Sequence, residues 1–183
     1  MTTSFNLKAS FVVAALLSFS VAQAATISKA EYKAHKTRIS ADYKADKAAC
    51  AALAGNAKDI CVEEAKAKEK VARAELKYSD SGKAGDQTKV LVAKAKSAYA
   101  VAKKKCDDQA SNAKDVCVKE AKAVEVKALA DAKMGKKIGE AQKEASDDKM
   151  DANYKVAVEK CDAMAGDAKT SCVAAAKVKF AKN

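Results

Sequence analysis

The stretch that decides the fold is CAALAGNAKDIC, Cys50 to Cys61, and it is written three times. It returns as CDDQASNAKDVC at Cys106 to Cys117 and as CDAMAGDAKTSC at Cys161 to Cys172, so the pairs recur after 56 and then 55 residues. More than the cysteines is kept. A tyrosine stands seven positions before each first cysteine (Tyr43, Tyr99, Tyr154), and each second cysteine is followed by valine. A period in this range marks tandem units that each form one supersecondary element.

A continuous helix through this stretch would hold its two cysteines about 16 Å apart at 1.5 Å rise per residue. A disulfide needs Cα atoms within about 7 Å. The middle of each stretch argues for a break instead. Gly55 and Gly166 suit the left-handed position that ends a helix, and Ser111 stands there less comfortably in the second copy. Asn56, Asn112 and Asp167 follow as favoured N-caps. Asp59 and Asp115 come three residues later, where a negative charge meets the positive helix end, and Thr170 takes that place in the third copy. Stop, cap and restart within a few residues predict a tight helical hairpin.

The expected fold is therefore all-α: three tandem antiparallel helical hairpins, about six helices, each clasped by a disulfide near its turn. Six cysteines allow fifteen pairings. The repeat symmetry selects Cys50–Cys61, Cys106–Cys117 and Cys161–Cys172. Closing a loop of this size is worth roughly 3 kcal/mol on chain-entropy grounds.

Composition explains why such staples are needed. About one in five residues after Ala24 is large and apolar, near the level at which charged chains stay disordered. Alanine supplies most of the remaining apolar count and proline is absent, so helix is favoured while little can be buried. Helical spacing places Tyr32, Ile39, Tyr43, Cys50 and Leu53 on one stripe. Met150, Tyr154, Ala157, Cys161 and Met164 form another. Tyr43, Tyr99 and Tyr154 are the expected core residues, packing against small residues of the returning helices such as Ala65, Ala121 and Ala176.

The ends and breaks complete the organisation. Lys8, the apolar run from Ala9 to Val21 and Ala22-Gln23-Ala24 read as a secretory signal peptide over residues 1–24. Hairpin repeats are expected over 25–79, 87–134 and 140–183, with linkers at 80–86 (Asp80-Ser81-Gly82-Lys83-Ala84-Gly85-Asp86) and 135–139 (Gly135-Lys136-Lys137-Ile138-Gly139). Export to an oxidising compartment agrees with paired cysteines.

No constellation here carries catalysis, and the expectation is a non-enzyme with no cofactor, no metal and no small-molecule substrate. His35 is the lone histidine, on a charged stretch. The C-x10-C spacing fits neither a C-x-x-C redox site nor short zinc knuckles, which leaves a thiol redox or metal buffer as the outlying reading. The acidic neighbours Asp107-Asp108 and Asp147-Asp148 point in different directions on a helix. The chain carries a formal net charge of +11, and lysine supplies nearly all of the positive charge. Lys103, Lys104, Lys105, Lys136 and Lys137 are the candidate anion-binding residues. Lysine gives diffuse attraction without the bidentate reading of arginine. For an exported chain the anions are lipopolysaccharide, anionic lipid surfaces or extracellular nucleic acid.

The signal sequence, the Ala/Lys-rich helices and the tandem repeat "C-x-x-x-A-G-N-A-K-D-x-C-V-x-E-A-K" together resemble a group of exported proteins of Gram-negative bacteria. Its members are often labelled TolA-like cell-envelope proteins. The resemblance covers essentially all of the chain after the signal segment and implies a periplasmic location, helical character and an envelope component as partner. TolA itself has an N-terminal membrane anchor and a C-terminal globular domain, neither of which is read here, so Tol–Pal energy coupling is not implied.

Overall fold

A computed structural model describes residues 27–182; the signal segment lies outside the described residues. Among these residues five α-helices follow one another: α1 (Lys29–Ala49), α2 (Gly55–Ser81), α3 (Ala84–Lys105), α4 (Ser111–Cys161) and α5 (Gly166–Lys179). No strand occurs among the described residues.

The count is five and not six because α4 runs unbroken for 51 residues, through the linker expected at 135–139. Gly135 and Gly139 both keep helical backbone, unlike the three glycines with positive φ. A glycine inside a helix costs about 1 kcal/mol against alanine, which does not by itself break a helix. Good helix formers flank both glycines, and Lys136 pairs with Glu140 at 3.2 Å, one turn on. By contrast, the break between α2 and α3 is a real stop. Gly82 takes the left-handed conformation (φ 61°), its N–H donates to Tyr78 O, and α3 begins two residues later. This turn is shorter than the expected 80–86 linker.

α1 opens on a reciprocal cap: Ser28 Oγ accepts from Glu31 N–H at 3.2 Å while Glu31 accepts from Ser28 N–H at 2.8 Å. Each helix then packs on its sequence neighbours, α1 on α2, α2 on α3, α3 on α4 and α4 on α5. No other helix pair is in more than marginal contact among the described residues. The result is a single layer of helices with both faces open. Among the described residues the only side chains buried to below 2% exposure are Cys50, Cys106 and Cys161. Around them the buried apolar residues are mostly alanine, with Leu76 and Val90 between α2 and α3.

The layer ends at Ala132, the last buried residue of α4 before Cys161. From residue 133 to residue 153 every side chain of α4 is exposed, on all sides of the helix. That stretch spans roughly 30 Å at helical rise. It separates the packed layer from a second, smaller contact, in which α5 folds back along the end of α4.

Candidate functional site

The three cysteine stretches fold alike. In each, the first cysteine ends a helix and its carbonyl accepts from a residue three positions on: Leu53 at 3.1 Å, Gln109 at 3.1 Å and Met164 at 3.0 Å. Extended backbone follows at Ala54, Ala110 and Ala165. A left-handed residue then opens the next helix: Gly55 (φ 55°), Ser111 (φ 50°) and Gly166 (φ 56°). This geometry returns the chain beside itself. Cys50–Cys61, Cys106–Cys117 and Cys161–Cys172 are all disulfide-bonded, with Cα separations of 5.6, 5.7 and 5.7 Å, and no cysteine is free.

The capping differs from expectation. The left-handed residues begin the returning helices, so the N-caps are Ala54, Ala110 and Ala165, none with a side-chain cap bond. Asn56, Asn112 and Asp167 lie two positions past these caps, as the second helical residues, and so do not serve as N-caps. Asn56 finds other use: its Nδ2 donates to Lys104 O, at 2.9 Å, in the last turn of α3. Asp59 reaches Lys104 Nζ at 3.8 Å.

Tyr43, Tyr99 and Tyr154 stand below their clasps but are half-buried, with the cysteines as the innermost groups. Leu53, Met150 and Met164, placed on the buried stripes by their spacing, are exposed, because a single layer has nothing beyond the turn to cover them. Lys122 Nζ lies 4.9 Å from the Tyr99 ring centre and 2.6 Å from Glu125 Oε2. That hydrogen bond to Glu125 raises the Lys122 pKa. Tyr154 meets Phe180 edge-to-face at 6.3 Å.

The lysines proposed to bind anions are mostly engaged. Lys104 pairs with Asp107 at 3.4 Å, Lys105 with Glu64 at 3.1 Å and Lys136 with Glu140 at 3.2 Å. Lys103 and Lys137 form no ion pair among the described residues. Asp107 also meets Lys114 at 2.9 Å, and hydrogen bonding to Lys114 holds its carboxyl below the ordinary range. These pairs are solvent-facing and contribute little to stability. His35 is exposed on α1. Among the described residues no three His, Cys, Asp or Glu side chains converge to hold a metal ion, and no helix is long and apolar enough to cross a membrane.

Among the described residues, concavities of about 260 Å³ open at two places between α1 and α2 and one of about 370 Å³ opens between α3 and α4, and no sequence pattern marks them. Below the second clasp, α3 and α4 diverge around a groove of about 370 Å³ lined by Ala95, Ala98, Tyr99, Ala102, Ala121, Val124, Glu125 and Ala128, with Lys94 at its rim. The alanines were read as close-packing residues, yet two facing alanine rows leave a gap unless the backbones approach.

Comparison with known proteins adds no relative: no family model, no curated protein and no solved structure matches the chain.

Proposed function

We propose that the chain is an exported, non-enzymatic helical repeat protein that acts structurally or by binding in the cell envelope, in the periplasm. Its units are three clasped hairpins: α1 with α2, α3 with the first part of α4, and the end of α4 with α5. The observation that carries this reading is the state of the cysteines. All six are consumed in three equivalent disulfides at helix turns. That use of cysteine supports an oxidising compartment and a structural role, and weighs against a thiol buffer. The exposed stretch of α4 supports a scaffold: it holds two packed regions roughly 30 Å apart, and its tertiary ion pair among the described residues, Asp151 with Lys182, lies at its far end. Kinship with the TolA-like envelope proteins belongs to the same proposal.

The test is fractionation of cells expressing the full chain, with thiol alkylation before lysis and cross-linking to envelope components. Recovery in the osmotic-shock fraction with blocked thiols and a reproducible envelope cross-link supports the reading. Recovery in the cytosol with free thiols overturns it.

A second reading, polyanion binding, is favoured by the net charge of +11 and by the unpaired Lys103 and Lys137. Retention on heparin or lipopolysaccharide that falls steeply with salt would support it. Pairing of Lys104, Lys105 and Lys136 weakens it.

A further inference from the structure

The groove below the second clasp has a counterpart at the same repeat positions below the first. There, Ile39, Asp42, Tyr43, Asp46, Ala65 and Lys68 line a space of only about 30 Å³. Moving 56 residues along, tyrosine (Tyr99) and the facing alanine (Ala121) are kept, and the other four positions change together: Ile39 becomes Ala95, Asp42 becomes Ala98, Asp46 becomes Ala102 and Lys68 becomes Val124. In the first hairpin Ile39 fills the gap, and Asp46 and Lys68 bridge its mouth at 2.8 Å. In the third, Phe180 stands where the second hairpin has Glu125, and leans on Tyr154. At these positions the first hairpin closes the space with its own side chains, although a separate opening of about 260 Å³ lies beside it against Asp46, Cys50, Glu64 and Lys68, and the second has lost both the filler and the bridge.

We propose that the groove between α3 and α4 binds one free single-chain aliphatic amphiphile, of the fatty-acid class. Its volume lies at the lower end of the range for small-ligand sites, enough for one chain. The substitutions remove two carboxylates and an ammonium from the rim and leave a continuous apolar lining, which disfavours a polyanion or a peptide backbone and favours a hydrocarbon chain. Val124 is 68% exposed at the edge, a large apolar side chain that an occupant would cover. The buried Glu125 is already neutralised by Lys122 at 2.6 Å, so the wall presents no unpaired charge. Lys94 stands at the mouth, bound only to Glu75, with both side chains about half exposed. Exchanging that partner for a ligand carboxylate costs little. The assignment rests on groove geometry and stands whatever compartment the chain occupies; it specifies a ligand where composition predicted no small molecule.

The experiment titrates the full oxidised chain with a dansyl-labelled long-chain fatty acid below its micelle concentration, with dodecanoate as competitor. The wild type is expected to bind one probe per chain. Installing the first hairpin's residues in the second, Ala95→Ile with Ala102→Asp and Val124→Lys, is expected to weaken binding at least tenfold. The reverse exchange, Ile39→Ala with Asp46→Ala and Lys68→Val, is expected to raise the stoichiometry from one to two. It is an independent readout should the first variant lose helicity by circular dichroism. No saturable binding by the wild type, unchanged affinity in the closed variant, or unchanged stoichiometry in the opened one overturns the proposal. Retention on neutral phosphatidylcholine vesicles with no affinity for the free acid overturns the free-chain assignment.

Discussion

Asn56 and Lys104 meet across 48 residues of sequence: the Asn56 side-chain amide donates to the Lys104 backbone carbonyl at 2.9 Å. The acceptor belongs to the last turn of α3, where carbonyls lack helical partners. One side chain at the tip of the first turn thereby caps the helix that leads into the second. Replacing it with alanine removes a part-buried bond worth about 0.5–1.5 kcal/mol. Asn56→Ala is expected to lower Tm by a few degrees, whereas Asn112→Ala, whose amide makes no such bond, is expected to change it less. Paired thermal melts check this.

The clasps differ in what else supports them. Cys50–Cys61 and Cys106–Cys117 lie in the packed layer, but α5 touches α4 alone and buries only Ala176. Each closed loop is worth about 3 kcal/mol. Cys161→Ser with Cys172→Ser is therefore expected to unfold α5 while leaving the layer intact, seen as hydrogen exchange rising over Gly166–Lys179 only. Exchange rising equally over α2 would contradict it.

Ser111 occupies the left-handed region (φ 50°) where the other two copies have glycine. That conformation costs a residue with a side chain about 1–2 kcal/mol, offset in part by the extra freedom glycine has when unfolded. No atom outside the local chain crowds the equivalent Gly55 or Gly166, so backbone preference alone decides the outcome. Ser111→Gly is expected to stabilise the second disulfide-bonded turn by roughly 0.5–1 kcal/mol, measured by denaturant midpoint.

Residues 133–153 of α4 are held by their own helical bonds, by pairs such as Lys143–Asp147 at 2.5 Å and, at the far end, by Asp151 with Lys182. Most helix stability in proteins comes from packing an apolar face, which this stretch lacks. Limited trypsin digestion is expected to cut first within this stretch, at Lys136, Lys137 or Lys143. Gly135→Ala with Gly139→Ala, each worth about 1 kcal/mol of helix, is expected to slow that cleavage severalfold.

Acid acts on the turn between α2 and α3. Asp86 is buried there (6% exposed), and hydrogen bonds from Lys89 at 2.6 Å and Ser81 at 2.7 Å hold its carboxyl below the ordinary range. A carboxyl lowered on folding stabilises the fold fully above its unfolded pKa of about 3.9, and the contribution disappears as pH falls through the lower folded value. Asp107 adds to the same trend. Melting temperature is expected to fall below about pH 4, with a shallower slope in Asp86→Asn.

Much of the local architecture was legible because it rests on local chemistry. The three matched cysteine pairs and the left-handed positions at Gly55, Ser111 and Gly166 are written within twelve-residue windows, and the 55- to 56-residue period repeats them. A disulfide between residues eleven apart forbids continuous helix whatever surrounds it. The misread elements were those in which a weak signal had to be weighed against neighbours. Gly135 and Gly139 resemble a linker, yet a helix without proline absorbs two glycines when nothing offers the chain a better alternative. Asn56 resembles a cap, yet a helix start two residues earlier frees its amide for α3.

By itself, the sequence determined an all-helical chain stapled at three turns, because alanine, the absence of proline and the cysteine spacing leave no other economical backbone. Only the tertiary structure decided which spaces those helices leave open. A row of alanines reads identically whether two helices close upon it or stand apart. The difference between about 30 and about 370 Å³ at equivalent positions depends on whether Ile39, Asp46 and Lys68, or Ala95, Ala102 and Val124, face one another across the gap.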